Sequence, residues 1–358
     1  MSKKIRILFT IPNFNTAGSG RVLYDLAKGL DKNVFDVLIV CKHDRGFFFK
    51  EIKALNLPVY LMDTTFQLRP YYKLFSRIKP FKKFLKEQSI DIVHSWHWSS
   101  DWTEVLATRW AGSKFVYTKK AMSWGHIHWK LRSFLSHFII TVNTDMDEFF
   151  PYKIQKKLIP FGLDTSHYHP DLFPKTENAL FFKIITVANL VPVKGIETLI
   201  EAIKKTNKTD IYLEVIGDKQ TKYAAYLEQL VMNLGLENQI TFLGKQSDVR
   251  PFLAQADLYI ISSKKEGMPM ALVEAMSMQT PVLGSDISGI NYVLKDFNSL
   301  LFESENIEQL SQKILEMYSK SSIERNVIGK ELRHYCIKQF SLHAFIKSHE
   351  NLYLKLAE

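Results

Sequence analysis

Residues 257–276 read DLYIISSKKEGMPMALVEAM. The first five residues form an apolar, strand-like run, the middle holds a turn with glycine and proline, and the end has the pattern of a helix. Two carboxylates, Glu266 and Glu274, stand with seven residues between them. If the helix begins near Met268, both carboxylates line one crevice at the carboxyl edge of the strand, where open parallel sheets bind ligands. The stretch therefore predicts a ligand site on an α/β domain.

Strand-like runs alternate with helical periodicity along the whole chain. The helical stripe is clear at Ile196, Leu199, Ile200 and Ile203. This alternation predicts parallel, doubly wound sheets, and a chain of 358 residues predicts two domains. The predicted strands lie near 5–9, 35–40, 59–62, 91–94, 115–118, 138–142, 157–160, 182–188, 212–217, 240–244, 258–262, 281–284 and 299–302.

Composition narrows the class of protein. A hydrophobic content of 46% and a charged content of 23% are those of a soluble globular protein. No apolar run is long enough to span a membrane, and the first residues do not resemble a signal peptide, so we expect a cytoplasmic protein. Cys41 and Cys336 lack disulfide or zinc spacing. The net charge of +10 favours nucleotides, anionic lipid or nucleic acid as partners, and charge alone does not choose among them.

The stretch 257–276 resembles the Glu-x7-Glu signature of retaining glycosyltransferases of family 4. Residues 280–289, TPVLGSDISG, resemble the strand and donor-site loop that follow it in that family. The alternative without a function is a helix that carries two surface glutamates.

The resemblance implies the GT-B fold, with two Rossmann-like domains facing a central cleft and a C-terminal helix that crosses back to the first domain. It implies an acceptor-binding domain at 1–165, a nucleotide-sugar-binding domain at 166–335 and the crossing helix at 336–358. Residues 161–170 resemble the family's crossover, with Phe161 in place of Asn, and 171–178 read as the linker.

By the same resemblance, the second half binds the donor. Glu266 is implied as a catalytic residue that positions the donor sugar, and Glu274 as the residue that binds the ribose hydroxyls. The backbone that follows Glu266 is implied to help position the sugar, at Gly267, Met268, Pro269 and Met270.

Residues 187–195, VANLVPVKG, resemble the family's Gly-Arg-Leu-x-x-x-Lys-Gly motif. Lys194 is the strongest phosphate candidate and a catalytic one, because a cation beside a helix start adds full charge to the partial charge of the helix dipole. A lysine with no anion to bind is unfavourable at that position. Asn189 stands where the family has Arg, so we expect it to donate a hydrogen bond to the diphosphate without adding charge.

Three glycines are further donor-site candidates. Gly18 lies in TAGSGRVLYDLA, residues 16–27, which resembles the family's Gly-Gly-x-Glu-Arg-Val segment, with Gly20 in place of Glu. Small residues before a helix let the backbone approach an anion. Gly217 and Gly244 end predicted strands, where relatives surround the nucleotide base and ribose. A plain turn role is an equal alternative for Gly217 and Gly244.

The first half offers candidates for catalysis and acceptor binding. His94 ends a predicted strand, and the resemblance implies a catalytic contact with the sugar near the reacting carbon, although a lone histidine there is more often packed. His97 has a different offset from the family's second histidine. Lys119 and Lys120 follow the next strand as candidate acceptor-binding residues, with a solvated turn as the alternative.

No metal site and no other cofactor are expected. Asp145 and Asp147 spell an Asp-x-Asp metal motif, but a helix start capped by Asn143 or Thr144 explains them better. The basic and aromatic segment from Arg69 to Lys86 suits an anionic membrane surface. An ordinary amphipathic helix with its apolar stripe in the core is slightly favoured for that segment.

The sequence thus predicts a retaining, metal-independent glycosyltransferase that moves a sugar from a UDP- or GDP-sugar to a hydroxyl of a glycan or lipid-linked acceptor. The setting implied is bacterial surface polysaccharide or lipopolysaccharide synthesis, in the cytoplasm or peripherally on the inner face of the cell membrane. One alternative is a non-transferring GT-B protein, a nucleotide-sugar epimerase or an inactive partner subunit, which would explain Asn189 for Arg and Gln279 for the usual Gly. The other is a nucleic-acid-binding protein, which the scatter of charge and the lack of a binding motif disfavour, so no nucleic-acid partner is expected.

Overall fold

A computed structural model describes residues 3–15, 17–46, 48–98, 100–123, 127–176 and 181–358. Thr16 of the first glycine loop, Trp124 after the paired lysines, and the end of the predicted linker at 177–178 lie outside these ranges. The chain divides into two compact units. Unit 1 comprises Met1–Gly162 with Leu342–Glu358, and unit 2 comprises Leu163–Ser341.

Unit 1 contains a parallel sheet of seven strands within its described residues, in the order β3-β2-β1-β4-β5-β6-β7. The central strands are mostly buried, as expected when helices cover both faces of a sheet. The strands are β1 (Ile5–Thr10), β2 (Phe35–Cys41), β3 (Val59–Leu61), β4 (Ile92–Ser95), β5 (Lys114–Thr118), β6 (Phe138–Thr141) and β7 (Lys156–Leu158).

Six α-helices complete unit 1 within the described ranges. The last of them comes from the end of the chain and packs against β1 and β4, which confirms that a C-terminal helix belongs with the first half of the sequence. The helices are α1 (Ala17–Gly29), α2 (Phe49–Ala54), α3 (Leu74–Glu87), α4 (Thr103–Ala111), α5 (His128–Leu135) and α13 (Leu342–Ala357).

Unit 2 repeats the architecture with six parallel strands, in the order β10-β9-β8-β11-β12-β13 among the residues described. The strands are β8 (Phe182–Val187), β9 (Ile211–Ile216), β10 (Ile240–Gly244), β11 (Leu258–Ile261), β12 (Val282–Ser285) and β13 (Leu301–Phe302). The helices are α6 (Ile196–Thr206), α7 (Lys222–Leu234), α8 (Arg250–Gln255), α9 (Met270–Ser277), α10 (Ser288–Val293), α11 (Ile307–Ser319) and α12 (Ser322–Gln339).

Each predicted strand is present, with its ends shifted by at most two residues. The helix after Glu266 begins at Met270 rather than near Met268, because Pro269 is extended, with φ −80° and ψ 104°. The apolar stripe of α6 is buried as predicted. The C-terminal segment expected at 336–358 contains two elements, the end of α12 and the whole of α13.

Local structure bears on two of the sequence alternatives. The residues around Asp145 form a 3₁₀ helix, Thr144–Phe149, whose first turn is capped by Asn143, with its side chain accepting from the Met146 amide at 3.0 Å. In the basic and aromatic segment, α3 buries Leu74, Ile78, Phe81 and Leu85. The capped helix start and the amphipathic helix with a buried stripe are therefore both present, and the membrane role of the segment from Arg69 to Lys86 stays a prediction. Among the described residues, none of the helices combines the length and apolar character needed to cross a bilayer.

Candidate functional site

The loops that follow β8 and β11 are joined at the carboxyl edge of unit 2. β8 and β11 are neighbours in the sheet. The Lys264 amide donates to the Val193 carbonyl at 2.8 Å, and the Ser262 hydroxyl donates to the Lys194 carbonyl at 3.2 Å. Gly195 has φ +58°, and a Cβ there would lie 2.4 Å from the Ser262 carbonyl oxygen. Glycine is required at 195 because the two loops meet backbone to backbone.

This junction brings the two strongest sequence candidates into contact. The Lys194 Nζ lies 2.5 Å from the Glu266 Oε1, and the Ser263 hydroxyl donates to the same oxygen at 2.7 Å. The side chains of Lys194 and Glu266 are 21% and 11% exposed. The pair is thus partly shielded from water, which strengthens its electrostatic interaction, and still accessible at the surface.

The backbone around Glu266 is fixed from the β12 side as well. The Ser285 hydroxyl donates to the Ser263 carbonyl at 2.5 Å. At the start of α10, a Cβ on Gly289 would lie 2.5 Å from the Gly267 carbonyl and 2.6 Å from the Glu266 carbonyl. Three neighbouring strand ends, those of β8, β11 and β12, therefore hold the loop that carries Glu266.

Glu274 lies on α9 and is half-buried. Burial raises the pKa of Tyr259 on β11 above its ordinary value, and the charges of Glu274 and Glu266 raise it further. Both carboxylates therefore lie close enough to act on one buried phenol. The seven-residue spacing does bring the two glutamates to the same region of unit 2.

The other donor-site candidates of unit 2 lie at the same edge. Asn189 is exposed just after β8. Gly217 follows β9, and its amide donates to the Gly244 carbonyl at 3.1 Å. A Cβ on Gly217 would lie 2.3 Å from the Ala188 carbonyl, and Gly244 has φ +73°. Backbone geometry therefore accounts for both glycines, and their contact with a nucleotide stays a prediction.

Gln279, which stands where the family has Gly, has φ +63°. This left-handed conformation favours glycine, because a side chain there is strained by on the order of 1 kcal/mol or more. A Cβ on Gly329 of α12 would lie 2.0 Å from the Gln279 carbonyl. A glycine at this position therefore serves the backbone conformation at the end of α9. Gln279 in its place removes neither Lys194 nor Glu266 from their contact.

His94 is a correction to the sequence prediction. It is fully buried in unit 1, with Nδ1 2.6 Å from the Tyr353 hydroxyl and Nε2 2.7 Å from the Thr118 hydroxyl. Burial lowers the pKa of His94 well below its usual range, and the charges of His349 and Lys120 lower it further. A side chain that is enclosed by α13 and hydrogen bonded through both ring nitrogens does not fit a contact with the sugar. The packed-residue alternative describes His94.

The two lysines after β5 have different surroundings. Lys119 is buried, and its ammonium donates to the Ser123 carbonyl and lies 4.7 Å from the centre of the Trp129 ring. This burial contradicts both the acceptor-binding role and the solvated turn for Lys119. Lys120 is half-buried, with its Nζ 3.3 Å from the Ser19 hydroxyl in the first turn of α1. Burial, together with the nearby charge of Arg132, lowers the pKa of Lys120 to about 7.

Gly18 lies beside Ser19 in the first turn of α1, and a Cβ there would have no neighbour within 4 Å among the described residues. Packing therefore does not explain a glycine at 18, and its role in binding the diphosphate stays a prediction. Gly18 and Lys120 are brought to one place through Ser19.

Sequence reasoning missed Ser263 and Lys264, which support the Glu266 loop. Lys264 forms ion pairs with Glu197 at 3.1 Å and Glu305 at 2.6 Å. A hydroxyl and a cation directly after a buried strand were the available signal. Among the described residues there is no group of three or more His, Cys, Asp or Glu side chains that could hold a metal ion.

Two doubly wound parallel sheets, one of which carries a cation and a carboxylate at its carboxyl edge, define an α/β protein of the GT-B type. Two family models match the chain, Glycosyltransferase Family 4 over residues 16–166 and Glycosyl transferases group 1 over residues 172–339. The chain belongs to the glycosyltransferase family that these two models describe. The fold and family predicted from the sequence are confirmed.

Relatives agree with that assignment, and solved structures agree with the fold. The chain is 28% identical over 172 residues to N-acetyl-alpha-D-glucosaminyl L-malate synthase of Bacillus anthracis, covering 48% of the chain and 44% of that relative. The matches to this and similar curated relatives span about half their length. A longer match, 23% identical over 95% of the chain and 94% of the relative, is to UDP-Gal:alpha-D-GlcNAc-diphosphoundecaprenol alpha-1,3-galactosyltransferase of Escherichia coli. Anabaena Alr3699/HepE in complex with UDP and glucose has a TM-score of 0.82 at 19% identity, covering 97% of this chain and 99% of that one.

Proposed function

We propose that this protein is a retaining glycosyltransferase that moves a sugar from a UDP- or GDP-sugar to a hydroxyl of a glycan or lipid-linked acceptor. The single observation that carries the proposal is the contact of Lys194 with Glu266 at the carboxyl edge of unit 2. Both groups are needed by a sugar diphosphate, since its phosphates attract a cation and its sugar hydroxyls donate to a carboxylate. The setting we propose is surface polysaccharide or lipopolysaccharide synthesis, because relatives carry such names.

In this proposal each residue has a stated task. Lys194 and Asn189 bind the diphosphate, and Lys194 stabilises the negative charge that grows on it as the sugar leaves. Glu266 and the backbone from Gly267 to Met270 position the sugar, and Glu274 binds the ribose hydroxyls. The oxygen of the leaving diphosphate accepts the proton of the acceptor hydroxyl on the face from which it departs, so the anomeric configuration is retained. No metal takes part, because Lys194 supplies the positive charge.

We further propose that the enzyme works in the cytoplasm and adsorbs to the inner face of the membrane through the segment from Arg69 to Lys86. Tyr72 is exposed just before α3, and exposed residues on α3 itself are Phe75, Lys79, Lys83 and Lys86. Exposed rings and cations together suit an anionic lipid surface. A second apolar patch on unit 1, lined by Ile127, Leu131, Phe134 and Tyr152, favours the same partner.

The experiment is thermal unfolding of the protein with a panel of nucleoside diphosphates and nucleotide sugars. Bound ligand raises the melting temperature by mass action. We expect a shift with uridine or guanosine nucleotides that Glu274→Ala abolishes. Glu331→Ala is the matched control, because Glu331 is exposed on α12. A protein that no nucleotide stabilises would contradict the proposal.

A second candidate is the non-transferring protein of the same fold, which Asn189 in place of Arg favours. It predicts binding of the nucleotide sugar with neither hydrolysis nor transfer. The strained Gln279 no longer supports this candidate, because its effect is on the backbone at the end of α9.

A further inference from the structure

A group of ion pairs lies beside the contact of Lys194 with Glu266. Lys264, two residues before Glu266, has its Nζ 3.1 Å from the Glu197 carboxylate and 2.6 Å from the Glu305 carboxylate. Glu197 lies in the first turn of α6, and Glu305 lies between β13 and α11. One cation therefore joins three segments of unit 2 at the edge that carries the candidate donor site.

Lys264 is held against the loop that follows β8. Its amide donates to the Val193 carbonyl at 2.8 Å, and a Cβ on Gly195 would lie 3.6 Å from the Lys264 Cε. The Lys264 side chain is 32% exposed. Hydrogen bonds to Glu305 and to Glu197 raise the pKa of Lys264 above its ordinary value. The ammonium is therefore charged at neutral pH and lies along the turn between β8 and α6.

Glu197 is held through both of its carboxylate oxygens. Oε1 pairs with Lys264, and Oε2 accepts a hydrogen bond from the Tyr223 hydroxyl of α7. The same hydroxyl accepts from the amide of Ile196, the first residue of α6, at 3.2 Å. The Glu197 side chain is 20% exposed, so water screens its charge only in part. A fixed negative charge thus lies at the start of α6.

Such a charge is unfavourable for the donor proposed above. The phosphates of that donor bind at Lys194, three residues before Glu197, and they are themselves negative. Like charges that are partly shielded from water repel each other strongly. The Lys264 ammonium offsets the charge of one of the two carboxylates that it contacts. Without Lys264, the negative charge of both Glu197 and Glu305 would oppose the diphosphate.

We propose that Lys264 is a positioning residue of the donor site. It joins the start of α6 to the loop that carries Glu266, and it offsets negative charge that would otherwise repel the donor diphosphate. The inference rests on the proposed function, which requires a diphosphate at Lys194, and it adds a residue that no sequence motif indicated.

The test is calorimetric titration with the nucleoside diphosphate that stabilises the wild type most, and with its free nucleoside, which carries no charge. Lys264→Met removes the charge and keeps most of the length of the side chain. We expect this variant to bind the diphosphate about tenfold more weakly, and the nucleoside within about twofold of the wild type. Adding Glu197→Gln to Lys264→Met should recover most of the loss, because it removes a repelling charge.

Lys265→Met is the matched control. Lys265 is the next residue of the same loop, it is exposed, and its side chain forms no ion pair within the described part of the chain. This variant loses the same charge without breaking a link between segments, so we expect its affinity for the diphosphate to stay within about twofold of the wild type.

Three results would overturn the inference. They are equal losses of affinity for diphosphate and nucleoside in Lys264→Met, no recovery in the double variant, and a loss in Lys265→Met as large as that in Lys264→Met. If Lys264→Met does not fold, Glu197→Gln in the wild-type chain replaces it and should bind the diphosphate a few-fold more tightly. Unchanged or weaker binding by that variant then overturns the inference. With a wild type that nucleotides stabilise, these results contradict this inference alone, whereas a wild type that no nucleotide stabilises contradicts the proposed function as well.

Discussion

The two units place polar residues at equivalent positions of similar sheets and use them differently. In unit 2, Lys194 and Glu266 follow neighbouring strands and contact each other while both stay accessible. In unit 1, His94 lies within β4 and Lys119 directly follows β5, and both are enclosed and hydrogen bonded within the unit. The carboxyl end of a strand is therefore a necessary position for a site residue and an insufficient one. What covers the strand end decides whether a ligand can reach it.

The cover over His94 comes from a distant part of the sequence. Tyr353 and His349 both lie on α13, and the His94 ring contacts both. In unit 2, the start of α10 approaches the Glu266 loop through Gly289, and the Glu266 side chain remains partly accessible.

The largest effect that this difference predicts is for Lys194→Ala. Removing a charge that stabilises the leaving diphosphate should lower the rate of sugar transfer or donor hydrolysis by about 100-fold to 1000-fold. The measurement is release of nucleoside diphosphate from the nucleotide sugar that stabilises the protein best. Lys330→Ala, an exposed lysine on α12, is the matched control. If Lys194→Ala has the rate of the wild type, then Lys194 is not a site residue and does not differ in this respect from the enclosed residues of unit 1.

A smaller effect is expected from the enclosed histidines of unit 1. Burial lowers the pKa of His349 to about 4, against 6.5 for an unburied histidine. Between these values the unfolded chain binds a proton that the folded chain does not, so stability falls as pH falls below 6.5. From pH 7 to pH 5 the loss for this one residue is about 2 kcal/mol.

The measurement is urea unfolding of the wild type and of His349→Phe at pH 7 and pH 5. The variant should lose about 2 kcal/mol less between the two pH values than the wild type does. His343→Phe serves as its control, because His343 is exposed on the same helix. If both variants keep the pH dependence of the wild type, then His349 is not the enclosed neutral group described here.

Local patterns in the sequence were enough for the strands, for the helix that carries Glu274 and for placing Lys194 and Glu266 in one donor site, although their direct contact was not predicted. Those features depend on apolar runs, on turn residues and on the order of neighbouring strands. The burial of His94 could not be read in the same way, since it depends on Tyr353, 259 residues further along the chain. The start of α9 was missed by two residues because the extended conformation of Pro269 delays the helix.

The smallest expected effect concerns the contact between Lys194 and Glu266 itself. A diphosphate must compete with the Glu266 carboxylate for the Lys194 ammonium, which lies 2.5 Å from it. Glu266→Gln removes the competing charge and keeps the size of the side chain. We therefore expect the variant to bind the free nucleoside diphosphate a few-fold more tightly, corresponding to about 0.5–1 kcal/mol for a partly exposed pair. The nucleotide sugar should gain less affinity or lose affinity, because its sugar hydroxyls lose a charged acceptor.

Calorimetric titration with both ligands measures the difference between the two affinities. Equal changes for the two ligands would show that Glu266 does not contact the sugar, and weaker binding of the free diphosphate would show that the carboxylate helps to hold Lys194 in place rather than competing for it.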